Sequence, residues 1–458
     1  MEEHEKFTPP YPTPHKSKIK WIKRFTTGWG SWIHTLAESS YKTKIGHVRF
    51  PKASLFIIND RELVKDIGIK RHDEFPKHRM QHETLCPLLG ESVFTTNGDQ
   101  WKRQRHQMNP AFAHTHLKRS FGTMQGAVND LLRTMKGLDH TAPIAIDPLM
   151  THVTADVIFR TILSHNITDE QTADVLEAFN IFQKYAQHTI TLHSFGLPDK
   201  IFSRQLNKNA SRIRGILRPI IKARHDAYHA GTPTEDKDIL ASLLESTDET
   251  GKHFPLDELV NHIAMLFLAG HETTASALTW SLYLLSQCPH LQKEIQAEIN
   301  AHSKNGEITF ETIKHLKTTL NVFQEAMRLY PPVSFYPREA MKECPIGNKT
   351  AQKGDVLSIS PWLIHRHRKV WKDPDVFDPS RFDDPAQKEN IKEHYLPFGL
   401  GPRLCIGKGF AIQESVLTLA TIIQNFDIKN VEGQVPEPMA RLTVRPKHDI
   451  KLWLTPTP

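Results

Sequence analysis

The sequence predicts a mainly α-helical protein with a small β-rich part. Apolar residues recur at helical spacing through much of the chain between residues 101 and 329. Within this part, residues 256–288 form the longest helical candidate, about 50 Å at the usual rise per residue. After Pro331 and Pro332, short apolar runs alternate with Gly and Pro, which is typical of short strands.

The elements are predicted in order from these patterns. A hairpin is predicted at 45–58 and a short helix at 60–67. Further helices are predicted at 101–112, 117–136, 147–164, 169–188, 203–229, 256–288, 291–302, 313–329 and 408–426. Residues 333–360 are predicted as short strands and 361–395 as loop-rich.

Composition indicates a globular, intracellular protein. The 458 residues are 39% apolar and 24% charged, which is not the composition of a disordered chain. No repeat or clean linker is visible, so residues 18–458 are interpreted as a single domain behind a loose polar tail at 1–17, with its β-rich part near 45–60 and 333–360. Four cysteines without a C-x-x-C pair argue against disulfides or a zinc knuckle and favour the reducing cytoplasm.

The net charge of +7 does not by itself define a partner. The basic residues are scattered among acidic ones, without a basic arm, so nucleic-acid binding is not predicted. The basic and aromatic residues 19–25 favour a packed helix over contact with a membrane surface. The apolar run 263–285 carries His271 and Glu272 at its middle, which favours a buried helix over a transmembrane one.

The most informative motif is the run Phe-Gly-Leu-Gly-Pro-Arg-Leu-Cys-Ile-Gly at 398–407. Glycines let the backbone approach a flat ligand, and a helix predicted from Lys408 directs its positive end toward Cys405. A cysteine in this setting is suited to bind metal as a thiolate. Cys86, Cys288 and Cys344 lack such surroundings and are interpreted as inert structural residues.

This motif resembles the haem-binding loop of the cytochrome P450 family. The resemblance implies a triangular helical prism around haem b, with a long central helix and minor sheets. It also implies that Cys405 binds the iron and that Phe398, Arg403 and Gly407 contact the haem.

A second motif, Ala269-Gly270-His271-Glu272-Thr273-Thr274, lies in the longest predicted helix. Glycine costs about 1 kcal/mol there relative to alanine and, beside two threonines, invites a local break. Taken alone, the residues fit a helix kink with satisfied polar groups equally well. The motif resembles the oxygen-activating segment of the family, which implies Ala269 and Gly270 beside the haem, Thr273 as a catalytic alcohol and Glu272 as an acid supplying protons from the solvent side.

Two further sets of residues match the family. Glu325 and Arg328 are three apart on one helix, and Arg381 follows in a Pro-Ser-Arg-Phe run, as in the buried ion-pair scaffold of the family. Taken as residues alone, Glu325 and Arg328 indicate an ordinary surface ion pair.

The second set concerns the haem propionates. Trp101 and Arg105 lie one turn apart, on what the sequence alone would present as a basic amphipathic helix, and resemble the family's propionate-binding helix. Arg338 and Arg403 match two further propionate positions. Lys102, Arg103 and Lys408 are predicted to form a basic docking face for an acidic ferredoxin or flavodoxin.

The resemblance places substrate contacts in five regions: a loop at about 82–96, residues 179–202, the long helix near Leu266, residues 333–336 and residues 442–443. The named contacts are mostly apolar, which favours a fatty acid, terpenoid, steroid or alkane as substrate, although core packing explains any one of them. These residues are Leu266, Ala269, Val333, Phe335 and Leu442.

The predicted function is that of a haem-thiolate monooxygenase that hydroxylates or epoxidises a hydrophobic molecule with O2. The chain has no G-x-G-x-x-G motif or cysteine cluster, so electrons from NAD(P)H are expected through a separate ferredoxin or flavodoxin. We expect a monomer of the soluble bacterial type, although the sequence of residues 269–274 is more similar to that of the membrane-bound members of the family. The alternatives are a peroxide-driven haem enzyme, a haem sensor or carrier, and a haem-free helical scaffold.

Overall fold

The computed structural model describes residues 7–17, 21–49, 54–164, 169–194, 197–232 and 237–457, and the description below concerns these residues. The helices are α1 Trp21–Gly28, α2 Arg61–Lys65, α3 Arg79–Leu89, α4 Gly98–Met108, α5 His114–Lys136, α6 Ile146–Leu163, α7 Asp169–Ser194, α8 Lys200–His229, α9 Ile239–Glu245, α10 Leu256–Ser286, α11 Pro289–His302, α12 Phe310–Ile313, α13 Lys317–Leu329, α14 Pro361–Ile364, α15 Lys388–His394 and α16 Lys408–Asn425. The strands are β1 Ile45–Arg49, β2 Ser54–Ile58, β3 Ile144–Ala145, β4 Tyr336–Glu339, β5 Cys344–Ile346, β6 Lys349–Ala351, β7 Val356–Ile359, β8 Phe426–Asn430, β9 Pro438–Ala440, β10 Val444–Pro446 and β11 Lys451–Pro456.

Helix α10 is the centre of the helical part. It is apolar on nearly all sides, so it has no face suited to water and is buried along almost its whole length. It packs along α6 and also contacts α8, α13 and α16. The predicted mainly helical architecture is therefore confirmed, with the longest helix in the core.

Four strands form the larger sheet, in the order β1-β2-β7-β4. The predicted hairpin is present as an antiparallel pair in which Ile45 faces Ile58, although its turn lies outside the described residues. Strand β7 pairs with β2 in parallel and with β4 in an antiparallel arrangement. The sheet therefore joins the N-terminal hairpin to the strands predicted at 333–360.

Some elements differ from the sequence prediction. Helix α3 replaces the first half of the loop predicted at 82–96. It escaped prediction because its apolar spacing is weak and because it contains Pro87, which removes one backbone hydrogen bond. Helix α9 and strands β8 to β11 were also not predicted, since each is short. Strand β11 also depends on a partner distant in sequence, β3.

The predicted loose tail at 1–17 is wrong for the residues that the structure describes. Residues 7–15 pack along the core. The N–H of Phe377 donates to the carbonyl of Phe7 at 2.9 Å, and the hydroxyl of Tyr330 donates to the carbonyl of Pro10 at 2.6 Å. The hydroxyl of Tyr11 donates to Asp375 at 3.0 Å. Residues 1–6 lie outside the described residues.

Two expectations concern membranes. The helix expected at 19–25 is present from Trp21, and residues 19–20 lie outside the described residues. Among the described helices, none combines the length and the apolar character needed to cross a bilayer.

Candidate active site

A cavity of about 1100 Å³ lies between α10, α3, α4 and the loop that carries Cys405. Every residue predicted to contact haem, oxygen or substrate lines this cavity. These residues are Trp101, Arg105, Leu266, Ala269, Gly270, Glu272, Thr273, Val333, Phe335, Arg338, Phe398, Arg403, Cys405, Gly407 and Leu442. The fold thus assembles one site from segments more than 300 residues apart in sequence.

The loop before α16 holds Cys405 in a defined position. Its N–H donates to the carbonyl of Phe398 at 2.9 Å, which closes the loop on itself. Gly401 has φ of +63°, and a Cβ atom there would lie 2.6 Å from the carbonyl oxygen of Gly68. Position 401 therefore requires glycine for both its backbone conformation and its close contact.

Opposing influences act on the Cys405 thiol. Burial raises its pKa, whereas a hydrogen bond from the N–H of Gly407 and the charges of Arg105 and Lys408 lower it. The surrounding protein is the largest of these influences, although the Cys405 side chain is exposed where it lines the cavity. The loop alone therefore does not produce the thiolate that the sequence had suggested. A bound metal would supply the missing stabilisation, because metal coordination deprotonates a thiol.

Four cations surround the cavity on the side of Trp101, and we call them the cation rim: Lys77, Arg105, Arg338 and Arg403. None of them forms an ion pair of 4.0 Å or less among the described residues. Burial and the charge of Arg403 lower the pKa of Arg338 to about 10. The indole of Trp101 lies 5.4 Å from the Arg403 guanidinium. The rim therefore concentrates positive charge where two carboxylates would be bound.

Lys77 belongs to this rim but was not identified from the sequence. Its amine donates to the carbonyls of Val93 and Thr96, both at 2.7 Å, and lies 5.9 Å from the Trp101 ring. Burial, followed by the charge of Arg403, lowers its pKa well below the usual value. A single lysine outside any motif gives no sequence signal of such a role.

The predicted ion-pair scaffold is present and fully buried. The Glu325 carboxylate accepts from Arg328 at 2.7 and 2.8 Å and from Arg381 at 3.0 Å. The exposed fractions of Glu325, Arg328 and Arg381 are 0%, 0% and 5%. The N–H of Asp378 donates to the same carboxylate at 3.0 Å. Because each charge is paired and hydrogen-bonded, we call these three residues the closed triad.

His365 connects the closed triad to the cysteine loop, a link that sequence reasoning missed. The N–H of Leu396 donates to its Nε2 at 2.8 Å, so its Nδ1 carries the hydrogen donated to the carbonyl of Arg328 at 3.2 Å. Burial, followed by the Arg328 charge, lowers its pKa to about 3, so the ring is neutral. The hydroxyl of Tyr336 also binds the carbonyls of Leu396 and Pro397. Through these bonds His365 links Arg328 of the triad to Leu396, and the segment before Phe398 is held in place.

The oxygen-motif segment of α10 differs from the prediction in one respect. The helix is continuous, without the expected break, and the Thr273 hydroxyl donates to the carbonyl of Ala269 at 2.6 Å. Gly270 has another reason to be glycine: a Cβ atom there would lie 2.4 Å from Cδ1 of Ile158 on α6. Thr273 itself is half-buried and lines the cavity. The close contact of two helices, not a kink, explains the glycine.

Glu272, which was expected to supply protons from the solvent side, has a buried side chain. It is only 3% exposed and accepts from Nη2 of Arg445 at 2.7 Å and from Thr443 Oγ1 at 2.6 Å. Arg445 also binds Asp147 at 2.8 Å. Although burial opposes ionisation, the charge and hydrogen bonds of Arg445 outweigh it and lower the pKa of Glu272 to about 2. The carboxylate is therefore ionised and held in place at neutral pH.

The predicted basic docking face is reduced by pairing. Arg103 Nη2 lies 2.6 Å from Oε1 of Glu258, and Lys102 Nζ lies 3.2 Å from Oδ2 of Asp73. Lys408 lies 5.9 Å from the Phe398 ring. Arg103 is thus committed to a partner within the protein and is not a free surface charge.

The donor set of this cavity fits haem. Arg403 has a buried Nε with no hydrogen-bond partner among the described residues, so the rim retains a donor for a carboxylate. Cys405 lines the same cavity, where it offers a sulfur ligand, and the wall formed by α10 is largely apolar. Cations for the propionates, a thiolate for the iron and apolar walls for the ring together define a haem-thiolate protein.

Comparison with known proteins identifies the family. The family model described as Cytochrome P450 matches residues 9–453, and the chain belongs to this family. The solved structure of the cytochrome P450DA heme domain superposes with a TM-score of 0.81 at 23% identity, covering 99% of this chain and 98% of that one. This similarity confirms the predicted fold.

Curated relatives agree with the predicted class. A cytokinin hydroxylase of Arabidopsis thaliana is 29% identical over 412 residues, which are 87% of this chain and 79% of that protein. An 11-oxo-beta-amyrin 30-oxidase of Glycyrrhiza uralensis is 29% identical over 416 residues, 87% of this chain and 78% of that protein. The protein is thus a cytochrome P450 monooxygenase, an oxidoreductase that uses haem iron and O2. Both of these relatives are plant enzymes, so they do not support the expected soluble bacterial type.

Proposed function

We propose that this cytochrome P450 hydroxylates or epoxidises a hydrophobic small molecule, with electrons reaching it from NAD(P)H through a separate redox protein. The observation that carries this proposal is the position of Cys405 in the cavity whose opposite wall is α10 with Thr273. When bound, haem ligated by a cysteine thiolate supplies the chemistry that cleaves the O–O bond. The protein supplies the thiolate, the cation rim, the apolar wall and the groups that move protons.

The cavity wall narrows the substrate class. Leu266, Val333, Phe335 and Leu442 line it, which favours an apolar molecule. Two polar side chains of α7, Gln187 and Thr191, also line the cavity, and both are buried at 7% exposure. A steroid, a terpenoid or a fatty acid, each carrying a polar group, fits this wall better than a plain alkane. The two plant relatives are named for a cytokinin and for 11-oxo-beta-amyrin.

Proton delivery is assigned to Thr273 together with Glu272. The Thr273 hydroxyl lies at the cavity wall, where it can exchange its bond to Ala269 for one to a ligand. Glu272 is ionised while it is paired with Arg445, so it takes up a proton when this pairing loosens and passes the proton on when the pairing forms again. Thr273 would be the group nearest the reacting oxygen, and Arg445 would hold Glu272 behind it.

The partner is proposed to be a ferredoxin or flavodoxin that docks beside the cysteine loop. Lys408 and Lys102 are exposed, although Lys102 is paired with Asp73, whereas Arg103 is paired with Glu258 and half-buried. Because the plant relatives leave the partner class open, the test compares a ferredoxin, a flavodoxin and a flavoprotein reductase as donors at two salt concentrations. Turnover with the ferredoxin or the flavodoxin that falls with added salt is expected. Turnover with the flavoprotein reductase alone, or with none of the donors, would contradict the proposal.

The haem ligand is tested with the carbon monoxide difference spectrum of the reduced protein. We expect a thiolate-shifted Soret band in the parent and its loss in Cys405→Ser, with Cys344→Ser as the control that retains it. A spin-state titration with steroids, terpenoids, fatty acids and alkanes then tests the substrate class. Gln187→Leu is expected to weaken binding of the polar members at least about tenfold, the discrimination typical of one lost buried hydrogen bond, and to leave alkane binding unchanged.

The role of Thr273 is tested by coupling. Thr273→Ala is expected to lower the fraction of electrons recovered in product and to raise hydrogen peroxide release. Thr274→Ala is the matched control, because Thr274 is the next residue on the same helix and is buried at 3% exposure. Full coupling in Thr273→Ala, or equal uncoupling in both variants, would remove Thr273 from the proton path.

A further inference from the structure

We propose that His82, Cys86 and Glu91 bind a divalent transition metal, best matched by Zn²⁺, on α3 and the turn that follows it. One ligand atom of each residue lies within 4.8 Å of the other two. The site is separate from Cys405. It gives a function to Cys86, which the sequence had presented as an inert structural residue.

The backbone brings the three side chains together. His82 and Cys86 are four residues apart on α3, so they lie on the same face of the helix. Gly90 ends the helix with φ of +49°, and a Cβ atom at this position would collide with the side chain of Asn261 on α10. This turn, fixed by α10, directs Glu91 back over the last turns of α3, where its Oε1 lies 2.7 Å from Nε2 of His82.

The donor set selects the metal. An imidazole nitrogen, a thiolate and a carboxylate oxygen are the three ligand types that zinc accepts, whereas Mg²⁺ and Ca²⁺ prefer oxygen alone. Tetrahedral zinc at its usual bond lengths separates such ligand atoms by roughly 3.3–3.7 Å. His82 and Glu91 are 39% and 48% exposed, so both can shift by the required distance. A water molecule would complete the site.

The local charges favour a divalent ion. Once the thiol proton is displaced, the thiolate and the Glu91 carboxylate together neutralise a charge of +2. Burial, followed by the charge of Glu91, raises the pKa of the Cys86 thiol, whereas the charge of Arg214 lowers it. Arg214 is held by the backbone of α3, because its Nη1 donates to the carbonyl of Leu88 at 2.9 Å.

The expected consequence is a stiffer wall of the cavity. Helix α3 has only 11 residues and contains Pro87, so its own hydrogen bonds hold it weakly. The same helix carries Leu85 and Leu89, which line the cavity. A metal that joins two turns of α3 to the turn behind it would therefore suppress local opening of this wall.

The test titrates the metal-free, haem-loaded protein with Zn²⁺ in competition with a chromophoric chelator. We expect one site of micromolar affinity or better, with a proton released on binding. Cys86→Ser and His82→Ala should each weaken it at least about tenfold, since even loss of an outer-shell partner costs that much. Glu83→Gln on the same helix and Cys344→Ser are the controls that should leave it unchanged. Retention of the carbon monoxide spectrum shows that each variant is folded.

A second readout measures the wall itself. Zn²⁺ should slow amide hydrogen exchange in residues 79–91 of the parent and should have no effect on them in Cys86→Ser. It should also protect the Cys86 thiol from alkylation, as measured by peptide mass mapping. Absence of micromolar binding would overturn the proposal. Binding that survives Cys86→Ser would also overturn it, because the metal would then occupy an ordinary surface site without sulfur.

Discussion

The cation rim and the closed triad both concentrate arginines around the segment before Cys405, but they differ in their partners. The triad surrounds the Glu325 carboxylate with two guanidinium groups and satisfies their remaining donors with backbone carbonyls such as that of Pro374. The rim places four cations at the wall of the cavity, with Lys77 and Arg403 at 5.9 and 5.4 Å from the Trp101 ring. None of the four has a carboxylate in ion-pair contact among the described residues.

This difference separates a structural cluster from a binding cluster. A buried charge costs free energy unless it is paired, so a cluster that pairs its own charges stabilises the fold. A cluster that leaves several buried cations unpaired lowers the stability of the protein alone and recovers it when an anionic ligand binds. By this criterion the triad holds the loop, and the rim holds the propionates.

The largest effect is expected from breaking the triad. Glu325→Ala leaves the guanidinium groups of Arg328 and Arg381 buried without a carboxylate, which costs about 3–5 kcal/mol. We expect little or no haem-loaded protein, measured by haem content per chain. Glu311→Ala, which removes an exposed i,i+3 pair with Lys314, is the control and should change neither haem content nor Tm. Normal haem content in Glu325→Ala would show that the triad does not hold the loop.

Removing a cation from the rim should preserve or raise the stability of the haem-free protein and weaken its binding of haem. Arg338→Leu removes one of several buried like charges, so the haem-free protein should unfold at the same or a higher Tm. The same variant should lose haem faster by about tenfold or more, in line with a lost hydrogen bond between charged groups. Arg338→Lys, which keeps the charge, should lie between parent and Arg338→Leu in haem loss. A lower Tm of the haem-free Arg338→Leu protein would contradict the distinction between the two clusters.

A smaller effect is expected at Glu414 on α16, an acid with no cation. It is 0% exposed, and neither oxygen has a hydrogen-bond partner among the described residues, so burial raises its pKa well above the usual value. The folded protein therefore keeps a proton that the unfolded chain releases above about pH 4.3. The stability linked to this proton is fully present below that pH and is lost as the pH rises.

Glu414→Gln should remove this dependence. We expect its Tm to exceed that of the parent by a few degrees at pH 8, with the difference shrinking toward pH 4. The exposed Glu432→Gln variant is the control and should follow the parent at every pH. A Tm difference for Glu414→Gln that is independent of pH would show that Glu414 has a partner that carries its charge.

Local sequence was sufficient for part of this site. The cysteine loop and the Glu325–Arg328 pair are both short segments, and the structure contains the closed loop and the ion pair. The two residues alone indicated a surface pair, and only the family resemblance predicted its burial. The long apolar run that became α10 is equally local. In each case the spacing of residues along one element determines which side chains meet.

Contacts across distant segments were not predictable in this way. Arg445 pairs with Glu272 across 173 residues, so nothing near Glu272 indicated that its carboxylate is buried and ionised. Lys77 lies in a loop outside any motif, and its amine is held by the carbonyl of Val93, 16 residues later. His365 joins its own segment to Leu396, 31 residues later. Gly270 was assigned to a break because the neighbouring Ile158 on α6 is invisible from the sequence of α10. These residues depend on tertiary packing, which a periodic pattern does not encode.

The docking of residues 7–15 has a consequence for synthesis of the chain. Phe7 and Tyr11 bind Phe377 and Asp375, which are made more than 360 residues later. Residues 7–15 therefore remain without these native partners until most of the later chain has left the ribosome. Deletion of residues 7–15 should remove this late closing step and lower the yield of folded enzyme.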